Sequence, residues 1–387
     1  MIEPFSKELA KTSAEGTLRA LRLVADSTGR TATVDGKEIV LFASNNYLGL
    51  ANHPRIIEAV KRSVERYGWG SGASRLLSGS TPPHVEFEEK VADFLNKPSA
   101  LMFSSGYTAN VGVITSLMGR KDNIFADRLC HASIIDGARF SGARFKRFAH
   151  NDPDALLAQI KKTGGKGKLL IVTDGVFSMD GDMAPLKELA EIAERFGALF
   201  MVDDAHGFGL FGPDGRGAPS LAGVSDRVDI HVATLGKALG GAGGFVAGSK
   251  SLIDGLINFS RPFIYSTAIP PVAACAGVAA LDMVSGAEGE RRRKALHINV
   301  GKIMAYLNNL GYDTGKSRSQ IVPVYMEGGR GFENGAKFML EMGVFAPFIK
   351  PPTVTKGAER FRISVMADHN ESDLVKLKNA FQQLKDI

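Results

Sequence analysis

LFMVDDAHGFG, residues 199–209, runs from four apolar residues straight into Asp203, Asp204, His206 and two glycines. An apolar run without alternation suits a strand buried on both faces, and such strands belong to parallel sheets covered by helices. The acids then fall where the strand ends, which is where α/β folds bind their ligands. Similar short strands are predicted near 100–103, 123–126, 144–148, 169–173, 230–234 and 244–247. Helical patterns lie between most of them, for example 84–95 and 185–196. Alternating strand and helix predicts an α/β fold with a mostly parallel central sheet.

The flanks extend this frame. A helix is predicted from Pro54 to about Tyr67, with proline in its first turn. GWGSGASRLLSGS, 68–80, holds four glycines and four serines without periodicity and reads as a loop. SSGYTAN, 104–110, reads as another loop, followed by a helix from about Asn110; TGGKGK, 163–168, reads as a surface turn. After about Gly286 the texture changes to a helix over 290–309, strands near 320–326 and 360–365, and helices near 333–342 and 371–386. At the other end, 4–24 reads as an amphipathic surface helix, and TATVDGKEIVLF, 31–42, as a hairpin turning at Asp35-Gly36. The predicted division is an N-terminal segment over 1–45, a large domain over 46–285 and a small α/β domain over 286–387.

Composition narrows the classes. The chain has 387 residues, 44% of them apolar and 23% charged, so it is not a disordered chain. Glycine, at 44 residues or about 11%, exceeds the usual ~7% without a collagen-like period, and this points to tight turns and close backbone approaches. The net charge of +6 is compatible with an anionic substrate or cofactor and equally with a solvated basic surface. No nucleic-acid motif appears, and the one dense basic run, Arg291–Lys294, follows two glutamates as on a helix surface. Two distant cysteines, Cys130 and Cys275, exclude a disulfide framework and a thiolate metal cluster. With no signal-peptide core and no long apolar span, the expectation is a cytoplasmic protein away from membranes.

The chemistry concentrates at strand ends. No GxGxxG, no phosphate-loop lysine, no HExxH and no nucleophile elbow is present. An aspartate at the end of a buried strand, such as Asp203, can keep a ring nitrogen protonated, and His206 just beyond it can hydrogen-bond a ring hydroxyl. Thirty-one residues further on, Lys237 stands in TLGKALGGAGG behind Thr234 and Gly236. A lysine in an apolar, glycine-rich bend can form a Schiff base with a carbonyl. Singly, each has a plainer explanation as a surface charge, a cap or a satisfied polar residue. Their order within one α/β frame favours a cofactor site.

These residues carry a resemblance to the α-oxoamine synthase family of fold-type-I pyridoxal-phosphate enzymes. It rests on SNNYLGL, GSGASRLLSG, SSGYTAN, NIFADRLCHASIIDG, VTDGVFSMDGD, VDDAHGFG, TLGKALGG, YSTAIPP and PPTVTKG, nine blocks in order along nearly the whole chain. The resemblance implies the aspartate-aminotransferase-like fold, pyridoxal 5'-phosphate as cofactor, no metal, and condensation of an amino acid with an acyl-CoA or acyl-carrier thioester with loss of carbon dioxide. It implies that Lys237 carries the cofactor, Asp203 pairs with its pyridine nitrogen, His206 contacts its ring hydroxyl and His131 stacks on its face. Asp174 and Ser178 would lie near it, Gly106, Tyr107 and Thr234 would bind its phosphate end, and Thr267 would reach the phosphate of a neighbouring subunit. The last role implies a homodimer with sites at the interface. Arg362 would bind the amino acid's carboxylate, with Asn45 of SNNYLGL also on the substrate side. Arg19, Lys350 and Thr353 would lie toward the acyl group.

Within the family the blocks GSGASR, YSTAIPP and SSGYTANVGVI most resemble the branch that joins alanine to a pimeloyl thioester in biotin synthesis. TLGKALGG and SRPFIYS also resemble the glycine and acetyl-CoA branch; glycine with succinyl-CoA and serine with palmitoyl-CoA are further alternatives. Aminotransferase or β-elimination chemistry would use the same aspartate, histidine and lysine, and His131 with the TDGVFSMDGD block favours condensation. A non-catalytic partner subunit would be expected to lack Lys237.

Overall fold

The computed structural model describes residues 5–15, 17–26, 29–163, 167–326 and 332–385. A hairpin comes first, made of β1 (Thr31–Val34) and β2 (Lys37–Leu41). Its two-residue turn has φ of +50° at Asp35 and +76° at Gly36, the left-handed pair that suits the twist of a tight hairpin.

The central sheet is built from β3 (Ser99–Phe103), β4 (Asn123–Asp127), β5 (Arg144–Phe148), β6 (Leu169–Asp174), β7 (Leu199–Asp203), β8 (Ile230–Thr234) and β9 (Gly244–Gly248). Their order is β3-β9-β8-β7-β6-β4-β5, and only β9 runs against its neighbours. Alternate residues of one strand serve two cores. Phe200 and Val202 join one apolar cluster while Met201 between them joins the other, all fully buried. Each such side chain contributes about 1.5–3 kcal/mol relative to exposure. This double burial is why the strand reads as an unbroken apolar run. Alternation also separates the acids at its end: Asp203 falls on the face of Met201, and Asp204 on the face of Val202.

The C-terminal part holds β10 (Ile321–Tyr325), β11 (Val344–Phe345), β12 (Phe348–Ile349) and β13 (Arg360–Ser364), with helices Ala287–Asn309, Phe332–Glu341 and Glu371–Leu384. β10, β13 and β12 form one antiparallel sheet. β11 instead pairs in parallel with β2, so the N-terminal hairpin and the C-terminal part share a sheet. Arg30 and Asp373 reinforce that junction with an ion pair at 2.7 Å.

Two local expectations are corrected. The helix expected over 4–24 spans only Ser6–Ala14, and the described residues of 17–24 are not helical. No residue of that helix is buried, so no packing extends it. The helix expected from Asn110 begins four residues earlier, at Gly106. Ser105 accepts from Thr108 N, and Thr108 Oγ1 accepts from Ser105 N, which caps the early start. Residues 164–166 of the turn expected over 163–168 lie outside the described residues.

Candidate active site

Parallel pairing sets Asp174, at the end of β6, directly beside Asp203, at the end of β7. Asp203 is buried; its Oδ1 accepts from Ala205 N at 3.0 Å and its Oδ2 from Asn110 Nδ2 at 2.6 Å. Asn110 belongs to the helix Gly106–Leu117 and also donates to Ser133 Oγ at 2.9 Å, while its buried Oδ1 has no protein partner. Asp174 accepts from the backbone N–H of His131 at 3.2 Å. Burial, and then the charge of Asp203, pushes the Asp174 carboxyl well above the usual range. Asp204 points the other way, accepts from Ala218 N at 3.1 Å and stands 3.3 Å from His231 Nε2, a structural role.

His131 caps the helix Ala132–Ser141, its Nδ1 accepting from Ser133 N at 3.3 Å and lying 2.7 Å from Ser133 Oγ. That leaves the other ring nitrogen to carry the proton, with the ring exposed to the cleft. Burial lowers its pKa, Asp203 opposes the shift and Lys237 adds to it, which favours the neutral ring. His206 is buried, 2.8 Å from the Tyr47 hydroxyl through Nδ1. Burial, helped by the charges of Lys237 and Arg362, lowers its pKa well below the ordinary value.

Lys237 lies in the bend that follows β8. Burial lowers its pKa to about 8 against the pull of Asp203 and Asp174. Thr234 Oγ1 braces this bend, donating to Gly243 O at 2.7 Å and accepting from Gly236 N at 3.1 Å. The bend abuts the N-terminus of the helix Gly106–Leu117: a Cβ on Gly106 would stand 3.5 Å from Thr234 Cβ, and one on Gly244 only 2.5 Å from Gly106 N. The first N–H groups of a helix have no partner within it and favour an anion. Tyr107 follows Gly106 there, half exposed, its hydroxyl donating to Asp136 at 2.6 Å.

Arg362, on β13, is buried and forked. Nε donates to Ser178 O at 2.5 Å, Nη1 to Ser364 Oγ at 2.7 Å and Nη2 toward Asn45 Oδ1 at 3.4 Å. Asn45 Oδ1 also accepts from Tyr47 at 2.9 Å. Asn45, Tyr47, His206 and Arg362 thus form one connected group across the junction of the two parts of the chain. Gln320 Nε2 adds a donor to His206 O at 3.0 Å.

Of the residues nominated by sequence, Asp174, Asp203, His131, His206, Lys237, Thr234, Gly106, Ser178, Asn45 and Arg362 converge here. Thr267, expected to serve a neighbouring subunit, is exposed and lines a small cleft with Arg75, Phe103 and Ser104. Arg19 and Thr353 meet each other at the surface, Nη2 to Oγ1 3.5 Å, and Lys350, just after β12, accepts from Thr353 N through its carbonyl at 3.1 Å. Asn110, Tyr47 and Gln320 were missed. Asn110 and Tyr47 sit inside quoted blocks, but nothing in their type or spacing distinguishes them from helix and loop polar residues.

The group fits pyridoxal phosphate. A lysine amine of low pKa suits its aldehyde, the Asp203 carboxylate its ring nitrogen, and His206 its hydroxyl. The helix N-terminus at Gly106, cleared of side chains, suits its phosphate, and the exposed face of His131 its ring.

A family model described as aminotransferase class I and II matches residues 37–381. The chain belongs to this family. It is 49% identical to the 8-amino-7-oxononanoate synthase of Geobacter metallireducens over 376 residues, 97% of this chain and 96% of that protein. It is 43% identical to the 8-amino-7-oxononanoate synthase of Saccharophagus degradans over 98% of this chain and 95% of that one. Among solved structures, the serine palmitoyltransferase of Sphingomonas wittichii superposes with a TM-score of 0.94 at 29% identity, covering 100% of this chain and 98% of that one. The 8-amino-7-oxononanoate synthase of Francisella tularensis superposes with a TM-score of 0.77 at 29% identity, covering 90% and 98%. The family's fold-type-I architecture is therefore the fold of this chain, with its large and small α/β parts.

Proposed function

We propose that this family member is a pyridoxal-phosphate-dependent α-oxoamine synthase that condenses L-alanine with a pimeloyl thioester to give 8-amino-7-oxononanoate, carbon dioxide and the free thiol. The observation that supports the choice of substrates is the 42–49% identity, over nearly full length, to eight proteins described as 8-amino-7-oxononanoate synthases, one of them as putative. Serine palmitoyltransferase chemistry is the second reading, favoured by TM-scores of 0.93–0.94 to such enzymes at 29–30% identity. The higher identity speaks for alanine and the shorter acyl chain.

Bound pyridoxal phosphate supplies the electron sink that makes a carbanion at the amino acid's Cα accessible. The chain's own groups do the rest. Arg362 takes the amino acid's carboxylate with a bidentate fork already aligned by Ser178 and Ser364. The Lys237 amine, its pKa lowered to about 8 by burial, removes the Cα proton as general base. Asp203 would keep a proton on the cofactor's ring nitrogen, and Asn110 fixes the carboxylate that would do so. His131 presents its protonated ring nitrogen to the cleft, where the acyl carbonyl oxygen gains negative charge during attack. His206, held by the Tyr47 hydroxyl, would hold the cofactor's ring hydroxyl. Arg19, beside Thr353, places a positive charge at the edge where a pimeloyl carboxylate would end.

The reading includes a homodimer. Trp69, Leu77 and Tyr265 are 74%, 78% and 73% exposed in the single chain. They flank the loops that carry Ser71–Ser74 and Thr267, so a second copy would cover them and bring Thr267 to its partner's phosphate site. CoA and carrier-protein thioesters both fit a substrate that arrives from the surface. A cytoplasmic setting suits two free cysteines.

The test is a substrate panel. The cofactor-loaded protein is mixed with alanine, glycine or serine against pimeloyl, acetyl, succinyl and palmitoyl thioesters, and thiol release is followed. Release with alanine and pimeloyl thioester is expected; release confined to serine and palmitoyl-CoA, or to glycine and acetyl-CoA, would reassign the substrates.

A further inference from the structure

His150 lies outside the residues gathered above. It follows β5, and its two ring nitrogens meet two different carboxylates: Nδ1 is 3.0 Å from Asp127 Oδ1, at the end of β4, and Nε2 is 2.8 Å from Asp182 Oδ2. With a carboxylate oxygen accepting at each ring nitrogen, neither nitrogen is left to be an acceptor, so the ring is an imidazolium. Burial alone would lower its pKa, and the two carboxylates outweigh burial and raise it to about 9. The charged groups facing it are Asp127 from β4 and Asp182 from the turn after β6. Phe177, from that same turn, packs edge-on at 4.4 Å between centroids. Asn151, from its own loop, donates to Asp182 Oδ2 at 2.9 Å, to Met183 O at 3.2 Å and, through its backbone, to Asp127 Oδ2 at 2.7 Å.

The turn so held is the one that reaches the substrate side. Phe177 N donates to Asp182 O at 3.0 Å, and Gly181 N to Phe177 O at 2.9 Å, closing residues 177–182 into a compact unit. That unit presents Ser178 O to Arg362 Nε at 2.5 Å, and Asp180 to Arg360 at 2.5 Å and to the Tyr325 hydroxyl at 2.9 Å. Gly181 has a φ of +68°, and a Cβ there would strike Ile321 O of β10 at 1.9 Å, so the turn is seated against the C-terminal part without room to shift.

We propose that His150 is a positioning residue for the amino-acid substrate: its imidazolium clamps Asp182 to Asp127, fixes the 177–182 turn and thereby aims the Arg362 guanidinium. The inference rests on reading Arg362 as the carboxylate anchor, and adds a residue that touches neither substrate nor cofactor. It predicts a pH dependence of a definite sign. The clamp is complete while His150 is charged and is lost as pH rises through about 9.

The test uses cofactor-loaded wild type, His150→Gln and Asp182→Asn, the second variant standing in should the first not fold. Amino-acid affinity is read from the visible absorbance change with alanine, glycine and serine, alongside KM, kcat and cofactor affinity. Expected are an amino-acid dissociation constant and KM raised about 10-fold, with kcat changed less than about 3-fold and cofactor affinity kept. Wild-type affinity should also weaken through pH 9, with His150→Gln lacking that limb. Because any amino acid that binds serves as the probe, a wrong substrate assignment would change which one responds without altering the fold-change. Unaltered amino-acid affinity in the folded variants, a loss confined to kcat, or the same pH limb in wild type and His150→Gln would overturn the proposal.

Discussion

Asn110 Nδ2 donates to Asp203 Oδ2 at 2.6 Å, and both side chains are buried. The bond joins the helix that offers its N-terminus to an anion to the strand whose end offers a carboxylate. On the proposed reading, this single contact would set both ends of one flat cofactor. Removing the amide leaves Asp203 with the Ala205 N–H alone on the described chain. Asn110→Ala is expected to weaken pyridoxal phosphate binding about 10- to 100-fold, equivalent to ~1–3 kcal/mol. Titration of the cofactor-free protein, followed by absorbance, checks this; unchanged affinity would mean that Asp203 needs no second support.

Lys237 gives a pH dependence. Burial brings its pKa down to about 8, with Asp203 and Asp174 limiting the fall. Only the neutral amine attacks an aldehyde. The rate at which cofactor-free protein takes up pyridoxal phosphate is therefore expected to rise through pH 8 and level off above it. An ordinary lysine, near 10.4, would still be climbing at pH 9.5.

Much of this was legible in the sequence, and the reasons are particular. β6 and β7 are buried on both faces, so LLIV and LFMV could only be apolar runs. Asp203 and His206 follow such a run directly, and the strand end marks them. Asn110 was not legible, because a polar residue in a helix ordinarily faces solvent and only the tertiary contact with Asp203 turns it inward. Tyr47 was hidden for the same reason: its hydroxyl meets His206, 159 positions away. The early start at Gly106 was missed because glycine is a poor helix former, whereas the capping pair Ser105 and Thr108 decides that end. β11 and β12, two residues each, are too short for any alternation to show.

On the proposed reading, Arg362 takes the amino acid's carboxylate. Arg362→Lys keeps the charge and loses the planar fork that Ser178 O and Ser364 Oγ align. KM for the amino acid is expected to rise about 100-fold, with a smaller effect on KM for the thioester. Steady-state kinetics with each substrate varied in turn separates the two; equal effects on both would place Arg362 elsewhere in the reaction.

Arg19 offers the complementary case. It meets Thr353 at 3.5 Å on an exposed surface, far in sequence from the Lys237 bend. Arg19→Ala is expected to raise KM for a pimeloyl thioester about 10-fold. Affinity for the amino acid, thermal stability and KM for an acyl thioester without a terminal carboxylate should stay as in the wild type. A loss shared by both thioesters would point to a general role for the N-terminal segment.

The attachment site can be tested without any turnover. Cofactor-loaded protein is reduced with borohydride, digested, and the modified peptide is located by mass spectrometry, with Lys237→Ala treated in parallel. The expected result is a pyridoxyl group on the peptide containing Lys237, and neither that group nor the visible absorbance band in Lys237→Ala. A reduced adduct on another lysine of the wild type, or a retained band in the variant, would contradict the assignment on which the site is built.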